Sequence, residues 1–123
     1  VSHIHIVDDE ALIRELFRRI LETEGYKVTD SADGNAALDL CRKQPPELII
    51  TDLIMPDKEG IETIIELKRD FPDVKIIAIS GGGRITANEY LELAETFGAN
   101  MTLSKPISRD ELLTAVGAVL GSD

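Results

Sequence analysis

The sequence predicts an α/β domain: one five-stranded parallel sheet, doubly wound, with helices on both faces. Two patterns predict it. Short β-branched runs alternate five times with segments of helical period. The third run, LIITD, is apolar up to its final residue, as a strand buried on both faces must be. Right-handed crossovers restrict such a chain to a few doubly wound orders. At 123 residues the chain is read as one domain, 1–123. It is long enough for a hydrophobic core of its own and too short for an eight-fold barrel.

HIHIV is the first strand and runs into Asp8-Asp9. Leu12, Ile13, Leu16, Phe17, Ile20 and Leu21 then recur at helical spacing, and Gly25 stops the helix. Tyr26–Thr29 is the second strand, broken at Asp33-Gly34. NAALDLCRK is the second helix, closed by Pro45-Pro46. LIITD is the third strand, MPDKEG a loop, and IETIIELKRD the third helix, ended by Phe71-Pro72-Asp73. VKIIAIS is the fourth strand and runs into Gly81-Gly82-Gly83. A fourth helix is expected over about Ala87–Phe97, with Gly98 after it. MTLS is the fifth strand, and Lys105-Pro106 follows. Ser108 and Glu111 have the spacing of a capping box that opens a last helix to about Leu120.

Apolar residues make up 43% and charged residues 29%, the balance of a soluble globular chain. No apolar run approaches the roughly 20 residues a membrane span needs. The start, VSHIHIVDDE, has neither a basic opening nor a signal-like stretch, so cytoplasmic residence is the expectation. A net charge of −10 argues against direct binding of nucleic-acid phosphates. Cys41 is the single cysteine and reads as a small buried apolar residue.

Open parallel sheets bind ligands at the carboxyl ends of their strands. Here those ends carry Asp8-Asp9, Asp52, Ser80 and Ser104-Lys105, while the second strand ends near Ser31 and Asp33 with nothing distinctive. Singly, each is an ordinary turn former or cap. On one edge they make a site. Converging carboxylates repel one another unless a cation neutralises them, and oxygen ligands without His or Cys favour Mg²⁺. A carboxylate can be a nucleophile, giving an acyl phosphate. A cation and Lys105 would stabilise charge on the transferring group, with Ser80 as a hydroxyl donor. The loop Asp8-Asp9-Glu10 repels a bare phosphate, which argues against a flavin or dinucleotide cradle. The triple glycine lacks the G-K-[ST] of a phosphate loop.

IVDDE, LIITDLIMPDKEG, IAIS and LSKPI, in this order and spacing, resemble the receiver domain of two-component response regulators over about residues 3–120. The resemblance implies a (βα)5 flavodoxin-like fold and a regulatory phosphoacceptor rather than an ordinary enzyme, with only limited self-phosphorylation from small donors and autodephosphorylation. Asp52 would take a phosphoryl group from a histidine kinase or histidine phosphotransfer protein with Mg²⁺, whose site Mn²⁺ or Ca²⁺ can also occupy. Asp9 would be the direct metal ligand. Asp8 would hold metal-bound water or share the ligation, and the backbone carbonyl of Ile54 would complete the set with Asp52. Ser80 and Lys105 would hold the phosphoryl group, with a cis bond before Pro106, and Pro56 and Gly60 match the loop after the acceptor. The output would be a downstream effector or an attached output domain. A homodimer through the fourth helix, fifth strand and last helix is also implied.

The chain departs from this family in two places. Thr102 stands where the family has its switch aromatic, three residues before the lysine. The stretch from Ser80 to Lys105 is also longer, in GGGRIT. A pseudo-receiver, an interaction module without phosphotransfer, is therefore the alternative. A related aspartyl-phosphate phosphatase would need an acid where Ile54 stands. Of the remaining features, His3 and His5 read as structural strand residues. Arg14, Arg18 and Arg19 are either solvated or turned to an acidic partner.

Overall fold

The computed structural model describes residues 2–53, 60–80, 92 and 95–121. Strands β1 (His3–Val7), β2 (Lys27–Ser31), β3 (Leu48–Asp52), β4 (Lys75–Ser80) and β5 (Met101–Ser104) form one parallel sheet in the order β2-β1-β3-β4-β5. The helices are α1 (Ala11–Thr23), α2 (Gly34–Lys43), α3 (Gly60–Asp70) and α4 (Arg109–Leu120). Glu95–Phe97 are also helical and end at Gly98, whose φ of +121° suits glycine. The expected helix at Ala87–Phe97 otherwise lies almost wholly outside the described residues.

The period of two along each strand divides the core. Val7, Ile49, Ile76 and Ala78 pack with Ala37, Leu38 and Cys41 of α2 and Ile64 and Leu67 of α3. Ile4, Ile6, Val28, Ile50, Ile77 and Ile79 face the other way, onto Phe17 and Leu21 of α1 and Leu112, Ala115 and Val116 of α4. The sheet is therefore covered on both sides, and all five residues of β3 are buried, which accounts for the uninterrupted apolar run. Burial also pushes the Cys41 thiol up to about 11, consistent with an inert core cysteine.

Local signals set the helix ends. The Asp33 side chain accepts from Ala36 N–H at 2.9 Å to cap α2. Ser108 and Glu111 form the expected capping box on α4. Several boundaries shift by a residue or two from expectation, two of them at the site edge. β2 runs on past Thr29 to Ser31, pairing Ile6 with Asp30 and Val7 with Ser31. It is an edge strand, so polar residues extend it without burying charge. Gly60 opens α3 instead of lying in the preceding loop.

The strand order fixes the site. The chain moves outward from β1 to β2, then returns past β1 to β3. That reversal leaves a crevice at the carboxyl ends of β1 and β3, where Asp8 and Asp52 lie.

Candidate functional site

Asp8 directly follows β1, and Asp52 is the last residue of β3. Both carboxylates are nearly inaccessible, their side chains only 3% and 7% exposed. Lys105 joins them from beyond β5. Its backbone N–H donates to Ser80 O at 2.8 Å, carrying the β4–β5 ladder one residue past Ser104 and fixing the root of the side chain. Its Nζ then lies 3.2 Å from Asp8 Oδ2, 3.4 Å from Asp52 Oδ2 and 3.7 Å from Glu10 Oε1. The Lys105–Pro106 peptide is cis, as the resemblance implied.

The electrostatics follow from this crowding. Burial pushes the Asp8 carboxyl above its ordinary value. The Glu10 N–H, 2.8 Å from Oδ1, and the Lys105 ammonium pull it back without cancelling that effect, and Asp9 adds repulsion. Burial acts on Lys105 in the opposite sense, but the charges of Asp52 and Asp8 outweigh it, so the ammonium is held above its ordinary value. A single firmly charged ammonium thus serves two buried carboxylates and one exposed one.

Asp8, Asp9 and Glu10 each offer a carboxylate oxygen within 4.8 Å of the others. An all-oxygen set with surplus negative charge fits a hard divalent cation. Asp52 meets this group through Lys105. Glu10 is a member that sequence reasoning passed over. Its position next to the acid pair was the available signal.

Ser80 is buried at the same edge, in register with Ser104, and Thr102 is half-buried opposite Ala78. Ile54, Pro56 and the Gly81–Thr86 loop lie outside the described residues. Gly60 passes so close to the β3 end that an added Cβ would strike Asp52 O and stand 2.5 Å from Leu53 Cα. Its N–H donates to Leu53 O at 3.0 Å, and Leu53 N–H donates to Ile79 O at 2.9 Å. The Asp52 carboxylate therefore stands on a backbone held from both sides.

The arginines of α1 divide. Arg14 Nη1 donates to the Asp8 carbonyl at 2.8 Å, and its Nε is 3.6 Å from Asp30 Oδ1. Arg18 donates to Asp30 Oδ2 from Nε at 3.1 Å and Nη2 at 2.9 Å. Arg19 lies exposed against Glu15. On β1, His3 and His5 bond to Thr29, and His5 also to Ser31, all at 2.7–2.8 Å; they are strand residues on the α2 side, as expected. Beside the site, Glu10, Ile13, Leu16, Phe17, Lys105, Pro106 and Ile107 line a groove of about 410 Å³.

Comparison with known proteins agrees with this architecture. The family model described as the response regulator receiver domain matches residues 4–117. The chain belongs to the response regulator receiver family of two-component systems, a regulatory rather than an enzymatic class. It is 33% identical over 117 residues to response regulator MprA of Mycolicibacterium vanbaalenii, covering 95% of this chain and 49% of that protein. It is 31% identical over 113 residues to sporulation initiation phosphotransferase F of Bacillus subtilis, covering 92% and 89% respectively. It thus spans about half of the one relative and most of the other. A CheY-like receiver domain protein from Methanospirillum hungatei superposes with a TM-score of 0.91 at 28% identity, covering 98% and 94% of the two chains. Among the described residues, no helix is long and apolar enough to cross a membrane.

Proposed function

We propose that the chain is a phosphorylation switch in which Asp52 accepts a phosphoryl group from a phosphohistidine on a histidine kinase or histidine phosphotransfer protein. A carboxylate oxygen of Asp52 forms the new P–O bond. The P–N bond breaks, and the departing imidazole nitrogen keeps the electron pair. Asp8 and Asp9, with Asp52 and the Ile54 carbonyl, would hold Mg²⁺, or Mn²⁺ or Ca²⁺ in its place. When bound, that ion supplies positive charge to the transferring oxygens. Lys105 shifts from its carboxylate partners to the arriving phosphoryl oxygens, and Ser80 donates its hydroxyl to them. The observation that carries this reading is the Lys105 ammonium shared between Asp8 and Asp52 at 3.2 and 3.4 Å.

The donor docks on the groove beside Lys105, which Leu16, 48% exposed, helps to line, with Leu12 80% exposed elsewhere on α1. The whole of 1–123 acts as one receiver unit in the cytoplasm. Its output goes to an effector protein or attached output domain, or to a second copy through β5, α4 and the expected fourth helix. Thr102, in place of an aromatic, favours the pseudo-receiver alternative.

One experiment separates the readings. Exposure to acetyl phosphate with Mg²⁺ should add one phosphoryl group by mass, and Asp52→Asn should abolish the adduct. An unmodified wild type gives the pseudo-receiver. Rapid multiple turnover gives a phosphatase.

A further inference from the structure

We infer that Arg14 and Asp30 are positioning residues for the cation site, fixing the turn that presents Asp8, Asp9 and Glu10. The inference rests on the cation-binding reading above. Four polar groups of Asp8 are held by four different partners. Its N–H donates to Ser31 O of β2 at 3.2 Å. Its Oδ1 accepts from Glu10 N–H at 2.8 Å and its Oδ2 from Lys105 at 3.2 Å. Its carbonyl accepts from Arg14 Nη1 at 2.8 Å. Of these contacts, only the last grips the peptide that joins Asp8 to Asp9, and that peptide plane sets where the Asp9 side chain departs.

Glu10 is the N-cap residue of α1 and makes no side-chain cap hydrogen bond. Arg14, one turn into the helix, restrains this turn by donating to the Asp8 carbonyl. The guanidinium is planar, so a second contact fixes its orientation. Asp30 provides it at 3.6 Å through Oδ1, while Arg18 holds Oδ2 of the same carboxylate. Arg14 and Asp30 are 21% and 28% exposed, partly withdrawn from competing water. Partners that orient metal ligands are commonly worth ~10–100-fold in affinity.

A purely electrostatic role for Arg14 predicts the opposite sign. A positive side chain near a cation site opposes binding, so removing its charge would tighten binding. Calorimetric titration with MgCl₂ distinguishes the two. We expect Arg14→Met and Arg14→Lys each to raise Kd by about tenfold or more, and Asp30→Asn to raise it less. Because Asp30 acts through Arg14, the Arg14→Met/Asp30→Asn double variant should bind no more weakly than Arg14→Met alone. In the cation-free protein, exchange of the Glu10 amide proton should also quicken in Arg14→Met.

Unchanged or tighter binding in a folded Arg14→Met overturns the inference, as does unchanged amide exchange. Additive losses in the double variant remove Asp30 from it. Should Arg14→Met fail to fold, Arg14→Lys and Asp30→Asn decide the matter by the same criteria. A wild type that neither binds Mg²⁺ nor accepts a phosphoryl group sinks the functional reading and this inference together. A wild type that does both, beside variants with unaltered affinity, sinks the inference alone.

Discussion

Lys105 and Asp8, 97 residues apart in sequence, meet at 3.2 Å, yet Lys105 must also serve Asp52 at 3.4 Å. The Asp8 carboxylate is therefore under-compensated. With a folded pKa above the unfolded one, it destabilises the fold most at neutral pH, and that penalty fades as pH falls through the folded value. Asp8→Asn is expected to stabilise the cation-free protein by about 1 kcal/mol, or a few degrees of Tm. A lower Tm in calorimetry would show that the pair is net stabilising after all.

Cation binding should appear as added stability. At a free Mg²⁺ concentration about 100 times Kd, mass action adds ~2.7 kcal/mol, which a chelator removes. Asp9→Asn should abolish the gain in thermal melts. Because burial raises the Asp8 carboxyl above its ordinary value, Mg²⁺ affinity should begin to fall on acidification at a higher pH than free aspartate would dictate.

The β1–β2 hydrogen-bond chain has a direction. Ser31 Oγ–H donates to Asp33 O at 3.4 Å, leaving its lone pair for His5 Nε2–H. His5 Nδ1 must then accept from Thr29 Oγ–H, and Thr29 accepts from His3 Nε2–H. His3 Nδ1 is left as a buried acceptor with no hydrogen-bond partner among the described residues. Both rings are expected as Nε2–H tautomers in ¹⁵N-resolved NMR at neutral pH. Nδ1–H signals would contradict this chain.

Burial, reinforced by His3 and Arg18 and opposed by Asp30, pushes the His5 imidazole down to about 4. The unfolded ring binds its proton near the ordinary 6.5. The stability this provides is complete above pH 6.5 and is lost as pH falls toward 4, amounting to ~3 kcal/mol. Urea titrations should show that His5→Gln lacks this component of the acid sensitivity. Parallel pH profiles for variant and wild type would refute the assignment.

Gly60→Ala places a methyl group against the Asp52 carbonyl and the Leu53 backbone. Backbone on both sides leaves nothing flexible to yield. We expect a loss of about 1–3 kcal/mol or more in chemical denaturation, with impaired phosphoryl acceptance even where the variant folds. Wild-type stability would show that the β3–α3 turn is free to move.

The fold was largely legible because each sheet layer repeats one simple pattern. LIITD announced a strand buried on both faces, and Ser108 with Glu111 announced a helix start. Asp8, Asp52, Ser80 and Lys105 could be placed at one edge because parallel strands end on one side. What the sequence concealed depends on register and side-chain direction. Nothing in TDS after Val28 says that Asp30 turns to Arg14 and Arg18 while Thr29 and Ser31 turn to the histidines. The arginines read equally well as solvated until β2 lay beside α1. Asp9 and Glu10 join Asp8 in one oxygen cluster through the shape of a single turn, which no periodicity encodes.

The lysine after β5 also has a meaning for how the chain is made. Acids contributed near positions 8 and 52 can be synthesised and packed long before residue 105 leaves the ribosome. Until it does, Asp8 and Asp52 lack the ammonium that meets both of them in the folded chain. The charge cluster at this edge is therefore finished only when the last strand arrives, and no fragment that ends before Lys105 carries it whole. A chain cut before β5 should be both harder to fold and unable to answer a phosphodonor.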